Sequence, residues 1–326
     1  MKFLFLRGQV PQDRDPKQIM FDKIENNCDM WTQLAFELSK QGQGELWYWN
    51  GKRKVRYADN FVERWKHNFK PLKNEFKPDI IFARGGFSNY DIVLRRYPKS
   101  FKIYYGAGKR FYPNKMFNDY DLILVDTAKQ LKKVRRLFPM IRSDLIVKPV
   151  AENIFKPVKA EKEYDIILVG NYNPKVDKGH DFAFKRIPKH CKILCAGIVP
   201  KKIRKKYPHV KFTGWLPRKD LPIFYAQSKV AIVCCGTIDS CPRVIPEAIA
   251  CNCPILALDR INFSHEKYIT EQTGKLTNER KFIKDLVVMI DTYKDFSPFK
   301  YYLDNLSIEI SSKRIMKEIK GEKNES

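Results

Sequence analysis

The chain is predicted to be an α/β protein made of two doubly wound, Rossmann-like domains, and three observations predict it. Strand-like and helix-like segments alternate through the first half; the alternation restarts after a charged, proline-containing connection; and 326 residues suit two domains of ordinary size. The division is placed at 157/158, giving an N-terminal domain over 1–157 and a C-terminal domain over 158–300. A helical, amphipathic tail over 301–326 is expected to pack back toward the N-terminal domain, with its last residues frayed.

The elements follow in order. KFLFL reads as a buried strand; in NCDMWTQLAFELSKQG, Met30, Leu34 and Leu38 share one helical face, and Gly42 stops the helix. ELWYW, DIIFA, KIYYG and DLILV continue the strand series, with YDIVLRRY and TAKQLKKVRRLF as helices between them. LIVKPVAENIFKPVKAEKEY carries two prolines after short apolar runs and then a charged stretch, the mark of a connection. Beyond it DIILVG, CKILCAG, VKFTG, VAIVCC and PILALD read as strands, and DLPIFYAQS and VIPEAIA as helices. Such alternation makes a parallel sheet covered by helices.

Composition narrows the class. No run approaches the roughly 18 apolar residues of a membrane-crossing helix, and the apolar part of MKFLFLR is too short for a secretory leader, so a cytoplasmic protein is expected. The eight cysteines are expected to be reduced: Cys234 and Cys235 end an apolar run as small hydrophobes, while Cys241, Cys251 and Cys253 lack a second pair or a histidine at zinc-ligand spacing. The net charge of +25 is spread evenly, with 30 Lys and Arg against 16 Asp and Glu in residues 1–150 and 32 against 21 in the rest. It is either the imprint of a lysine-rich proteome or a field that draws polyanions: nucleic acid, acidic membrane surface or phosphorylated substrates.

The stretch that carries chemistry runs from Gly214 to Asp259. Val210, Phe212 and Gly214 end a strand, Tyr225 lies in the next helix, and Asp239 and Glu247 have seven residues between them. The helix holding Glu247 closes at Ala250, Asn252 and Pro254. This order and spacing resemble the donor-binding core of the group 1, or family 4, glycosyltransferases. Upstream, DIILVGNYNPKVDKGHDF resembles that family's strand followed by G-x-x-x-x-K-G, with Gly170 ending the strand and Lys178 and Gly179 as the K-G pair. KPVAENIFKPV resembles its domain-joining segment through Phe155 and Pro157, although Ala151 and Glu152 depart from it. The resemblance covers about residues 144–260; the first half matches in architecture alone.

The resemblance implies a GT-B fold, two Rossmann-like domains facing a central cleft, that moves a sugar from a nucleotide diphosphate sugar to an acceptor hydroxyl with retention, and without a metal or other cofactor. A loop that leaves a strand and opens a helix aims backbone N–H groups and the positive helix end at the crevice beyond the sheet, a place suited to a diphosphate. Glu247 is expected to accept ribose hydroxyls there, and Asp239, next to Ser240, to hold sugar hydroxyls. Arg243 offers a planar fork to phosphate oxygens, and Lys178 opposes charge on the departing diphosphate. Asn171 stands where the family commonly has Arg, and the loop is two residues longer, so Lys175 competes with Lys178 for the phosphate role and Arg243 is a candidate to replace the missing Arg.

In the first half, three post-strand loops would face the crevice: Arg7 with Gly8; Arg84, Gly85 and Gly86; and Gly106 to Arg110, including Lys109. Their glycines permit close backbone approach, and their basic residues suit phosphate or acceptor. Neither ARGG nor GAGKR has the spacing of a nucleotide-hydrolysing P-loop. Asp13 to Asp15 reads as a turn, not a metal motif, and His180 is given no catalytic task. For the acceptor, one reading is a cell-surface glycan, glycolipid or glycoprotein made at the inner membrane face, with the positive charge giving peripheral contact. The alternatives are hydroxymethylated bases of viral duplex DNA and a catalytically silent nucleic-acid binder. No stable protein partner is expected.

Overall fold

A computed structural model describes residues 1–8, 29–49, 54–65, 69, 76–85, 89–106, 115–173, 178–236, 242–261 and 263–321. They form two units: residues up to Ile146 together with those from Ile308 on, and Val147–Ser307. The chain therefore passes between units at 146/147 and 307/308, where the sequence pattern set the divisions at 157/158 and 300/301.

The first unit holds an eight-stranded sheet. Its elements are β1 (Lys2–Arg7), α1 (Met30–Ser39), β2 (Gln43–Tyr48), β3 (Lys54–Ala58), β4 (Phe61–Trp65), β5 (Ile80–Arg84), α2 (Tyr90–Arg96), β6 (Phe101–Gly106), β7 (Leu122–Val125), α3 (Ala128–Leu137) and β8 (Arg142–Leu145). The strand order is β3-β4-β2-β1-β5-β6-β7-β8, parallel except for the β3–β4 hairpin. Met30, Leu34 and Leu38 are all buried, as their helical spacing requires. The core on this side is aromatic: the Trp31 ring meets Phe82 edge-on at 4.9 Å and stacks on Tyr105 at 5.6 Å, with Phe5 alongside. The last helix, α10 (Ile308–Lys320), adds Ile308, Ile315 and Met316 to that cluster, and Arg142 donates to Glu318 Oε2 at 3.3 Å.

The second unit restarts the alternation: β9 (Tyr164–Val169), α4 (His180–Arg186), β10 (Ile193–Ala196), α5 (Lys201–Lys206), β11 (Val210–Gly214), α6 (Leu221–Ala226), β12 (Ser228–Val233), α7 (Val244–Ala250), β13 (Ile255–Leu258), β14 (Gly274–Thr277), α8 (Phe282–Asp291) and α9 (Pro298–Asn305). Its strands lie in the order β11-β10-β9-β12-β13-β14, all parallel. Counted from its first strand this is the doubly wound order 3-2-1-4-5-6, which reverses direction between β9 and β12 and opens a crevice beyond the carboxyl ends of those two strands.

The core of the sheet here buries Ile166, Ile167, Val230, Ile232 and Leu256 alongside the thiols of Cys195 and Cys253, with rings such as Tyr225, Tyr268 and Phe282 packed around them. The six described cysteines are free and buried, and burial pushes the thiols of Cys195 and Cys253 up to about 12. Among the described residues, no helix is long and apolar enough to cross a membrane.

Candidate functional site

The crevice of the second unit is assembled by close backbone approach. Gly179, the residue before α4, has φ +81, and a Cβ on it would lie 2.4 Å from both Cβ and O of Cys234. Glycine is therefore required if the β9–α4 loop is to rest on the end of β12. Gly197, after β10, is equally constrained: its Cβ would stand 2.2 Å from the Gly170 carbonyl oxygen. His180 fixes the same turn through a 3.0 Å hydrogen bond between Nε2 and that carbonyl, which makes it a structural histidine. Tyr172 reinforces the loop by donating to Asp181 Oδ2 at 3.0 Å.

Against this frame the expected residues take their places. Gly170 and Asn171 close β9; Asn171 Oδ1 accepts from the Ile198 N–H at 2.8 Å and so ties the ends of β9 and β10 together. The Lys178 side chain passes beside Gly170, its Cγ 3.8 Å from where a Cβ there would stand. Arg243 is exposed immediately before α7, and Glu247 lies in that helix's first turn. Lys175, Asp239 and Ser240 lie outside the described residues, as do Lys109, Arg110, Gly86 and Asp13 to Asp15.

Glu247 is only 3% exposed. Its Oε1 accepts from Arg218 Nη2 at 2.6 Å, and the Arg218 guanidinium lies over the Phe155 ring, 5.2 Å from its centroid. Three separated pieces of chain thus converge: the connection that supplies Phe155, the β11–α6 loop that supplies Arg218, and α7. Burying a carboxylate is costly unless a cation and hydrogen bonds compensate, and Arg218 does so. One carboxylate oxygen is therefore committed to a protein partner, where the sequence pattern offered both to a ribose. Spacing did not single out Arg218; the legible signal was a basic residue in the PRKD loop just after the V-x-F-x-G strand end. Tyr225, the helix tyrosine of the pattern, packs behind this pair with its hydroxyl buried and without a hydrogen-bond partner among the described residues. Burial first, and then the nearby Glu247 charge, hold it well above the ordinary phenol range. A further arginine missed in the sequence, Arg260, donates to the Cys234 carbonyl at 2.8 Å and to Glu279 at 2.7 Å, securing the end of β12.

The first unit carries its own basic edge. Arg7 and Arg84 stand in register on the neighbouring strands β1 and β5, at their carboxyl ends, with Gly8 and Gly85 following. Arg7 pairs with Asp29 at 2.6 Å and lies over Tyr48; Asp29 also caps α1 by accepting from the Thr32 N–H at 3.1 Å. Arg84 lies over the Trp31 ring at 5.6 Å, and its carbonyl accepts from the Tyr90 hydroxyl at 2.8 Å. Gly85 has φ +80 with open space where a Cβ would point.

Comparison with known proteins agrees with this picture. Residues 163–291 match the family described as glycosyl transferases group 1. No curated protein matches the sequence. Among solved structures, a sucrose-phosphate synthase from Thermosynechococcus elongatus superposes with a TM-score of 0.70 at 11% identity, covering 98% of each chain. A glycosyltransferase from Rickettsia africae gives 0.69 at 13% identity, over 100% of this chain and 99% of that one. HepE of Anabaena, in complex with UDP, gives 0.65 at 12% identity, over 98% and 100%. Residues 163–291, which hold Lys178, Arg218 and Glu247, match the group 1 glycosyl transferase family, and the chain as a whole has the fold of GT-B glycosyltransferases.

Proposed function

We propose that this protein transfers a hexose or pentose from a nucleotide diphosphate sugar, held by the second unit, to an acceptor hydroxyl. The observation that carries the reading is the Arg218–Glu247 pair at the crevice of a doubly wound sheet, inside the matched region. Arg218 fixes the orientation of the carboxylate through Oε1, leaving Oε2 for a ribose hydroxyl. Lys178 and Arg243 oppose charge on the leaving diphosphate, so a divalent ion is not required, and the anomeric configuration is retained. HepE, solved with UDP and with UDP-glucose, makes a uridine donor the first to try.

The acceptor we propose is a cell-surface glycan, glycolipid or glycoprotein handled from the cytoplasm at an acidic membrane face. Helix α3 supports this: Lys129, Lys132, Lys133, Arg135 and Arg136 are exposed along it with no acidic residue among them, and Met140, just beyond, is 93% exposed. A basic, partly apolar surface of this kind suits anionic headgroups. Calorimetric titration with UDP, GDP and ADP and their sugar conjugates tests the donor reading. One nucleotide family should bind saturably, and Lys178→Ala should slow release of diphosphate from the sugar conjugate more than it weakens binding; no binding to any would overturn the reading. Co-sedimentation with phosphatidylglycerol vesicles against a duplex-DNA gel shift separates the membrane acceptor from the DNA one.

A further inference from the structure

Charge within the second half of the chain is concentrated in one place. Residues 182–219 hold 12 Lys and Arg and no Asp or Glu, which leaves 20 against 21 in the remainder of 151–326. The positive charge of that half therefore resides in this stretch, whereas a lysine-rich composition acting alone would enrich every segment. Crowded like charges repel one another and work against the compact state, so an acid-free run of this length calls for a partner that brings the opposite sign.

The fold gathers the run at one edge of the second sheet. β11 is the outermost strand, β10 lies beside it and parallel to it, and each is entered from a helix that ends in cations. Arg186 closes α4, and Lys189 and Lys192 lead into β10; Arg204, Lys205 and Lys206 close α5 ahead of β11. All six are exposed. They stand at the amino ends of the strands, the edge opposite the crevice at the carboxyl ends of β9 and β12. Cations in the last turn of a helix are ordinary, but α5 is basic at each position except Ile203, which rests on the core, and it buries none of its residues. Arg186 is paired with Glu279, and Asp165, which accepts from the Lys192 N–H, is paired with Lys229. Among the described residues, Lys189, Arg204, Lys205 and Lys206 have no carboxylate within ion-pair distance.

We propose that this edge binds nucleic acid through its phosphodiester backbone, without regard to sequence, and holds it away from the crevice. Closely spaced phosphates match ammonium and guanidinium groups set on two neighbouring helix ends, and their counterions are released on contact. The stretch has no Asn or Gln, the side chains that read adenine edges, and Thr213 is its one Ser or Thr, so its contacts position a duplex rather than read it. An acidic membrane is the rival polyanion, but helices that lie in a bilayer surface add apolar side chains to their cations. The large apolar residues exposed beside these strands, Ile198 and Trp215, stand beyond the carboxyl ends of β10 and β11, at the other edge. The proposal is independent of the donor reading, which concerns the crevice.

The test is fluorescence anisotropy of the full chain with two short DNA duplexes of unrelated sequence, over a series of salt concentrations. Wild type should bind both alike, and log affinity should fall against log salt with a slope of about −0.9 for each phosphate neutralised. A chain carrying Arg204→Glu, Lys205→Glu and Lys206→Glu together should bind roughly tenfold or more weakly and flatten that slope by about 3. Its melting temperature and its calorimetric response to UDP, GDP and ADP should match wild type, because the three side chains are exposed and lie opposite the crevice. The same three positions changed to Gln, which removes charge without reversing it, should give a smaller change of the same sign and decide the matter if the first variant does not fold. Absence of wild-type binding at low salt, a strong preference for one sequence, or binding untouched by either variant would overturn the proposal, the last by placing the duplex elsewhere on the protein. Wild type that binds phosphatidylglycerol vesicles but no duplex, with the vesicle binding lost in the same variants, would overturn it in favour of a membrane.

Discussion

The two sheets are wound alike but finished differently at their carboxyl edges. In the first unit the edge is basic and largely compensated from within: Arg7 is paired with Asp29, and Arg84 rests on Trp31. In the second, glycines bring the strand ends together, one carboxylate is buried against one arginine, and two large apolar side chains stand in solvent. The cores differ as well: the first packs its rings around the fully buried Trp31, while the second sets buried thiols among its aliphatic and aromatic side chains. A common winding thus carries two chemistries, because the winding fixes where a crevice opens while the residues at strand ends decide what it holds.

The largest effect should come from the aromatic core. Trp31→Ala removes a fully buried ring that touches Phe5, Phe82 and Tyr105, and should cost about 3–5 kcal/mol, read from denaturant unfolding. A loss under about 1 kcal/mol would show that the rings do not act as one core. Next, Arg218→Ala strands the Glu247 carboxylate and should cost about 3 kcal/mol, whereas Arg218→Lys keeps the charge but not the fork and should lose less. Gly179→Ala forces a Cβ into Cys234 at φ +81 and should cost about 2 kcal/mol while also weakening nucleotide binding, since it lifts the β9–α4 loop.

Two smaller effects concern titration. Burial works to raise the pKa of Asp165, but hydrogen bonds from Lys229 at 2.7 Å and the Lys192 N–H at 2.9 Å outweigh it and leave the group below its ordinary value. Its contribution is therefore complete above about pH 4 and is lost as pH falls through the lower folded value. Asp165→Asn should flatten the acid limb of melting temperature against pH by less than about 1 kcal/mol. The buried thiols behave in the opposite sense: with Cys195 and Cys253 pushed up to about 12, their neutral forms favour the folded state until pH rises past the unfolded thiol value near 8.5. At pH 8 the six described thiols should resist a disulfide reagent until the protein is unfolded.

The sequence was most legible where side-chain period and strand-end motifs coincide. The spacing of Met30, Leu34 and Leu38 marks α1, and VIPEAIA marks α7 with Glu247 in its first turn. The β3–β4 hairpin was missed although Asp59 and Asn60 form a turn between two strand-like runs, because charged residues break the alternation at Arg56, Glu63 and Arg64. Strand β8, with the sequence RSDL, has no apolar run to announce it and is held by pairing to β7. The Arg218–Glu247 contact joins positions 29 apart through a folded loop, which spacing alone does not encode.

The measurement that bears most directly on the account is nucleoside diphosphate affinity in Glu247→Gln, a change that keeps the volume of the side chain and a hydrogen-bonding partner for Arg218 while removing the charge. If the α7 carboxylate holds the donor ribose, calorimetry should show affinity falling at least tenfold while the variant remains folded by circular dichroism. A folded Glu247→Gln protein that binds the nucleotide as tightly as wild type would contradict it.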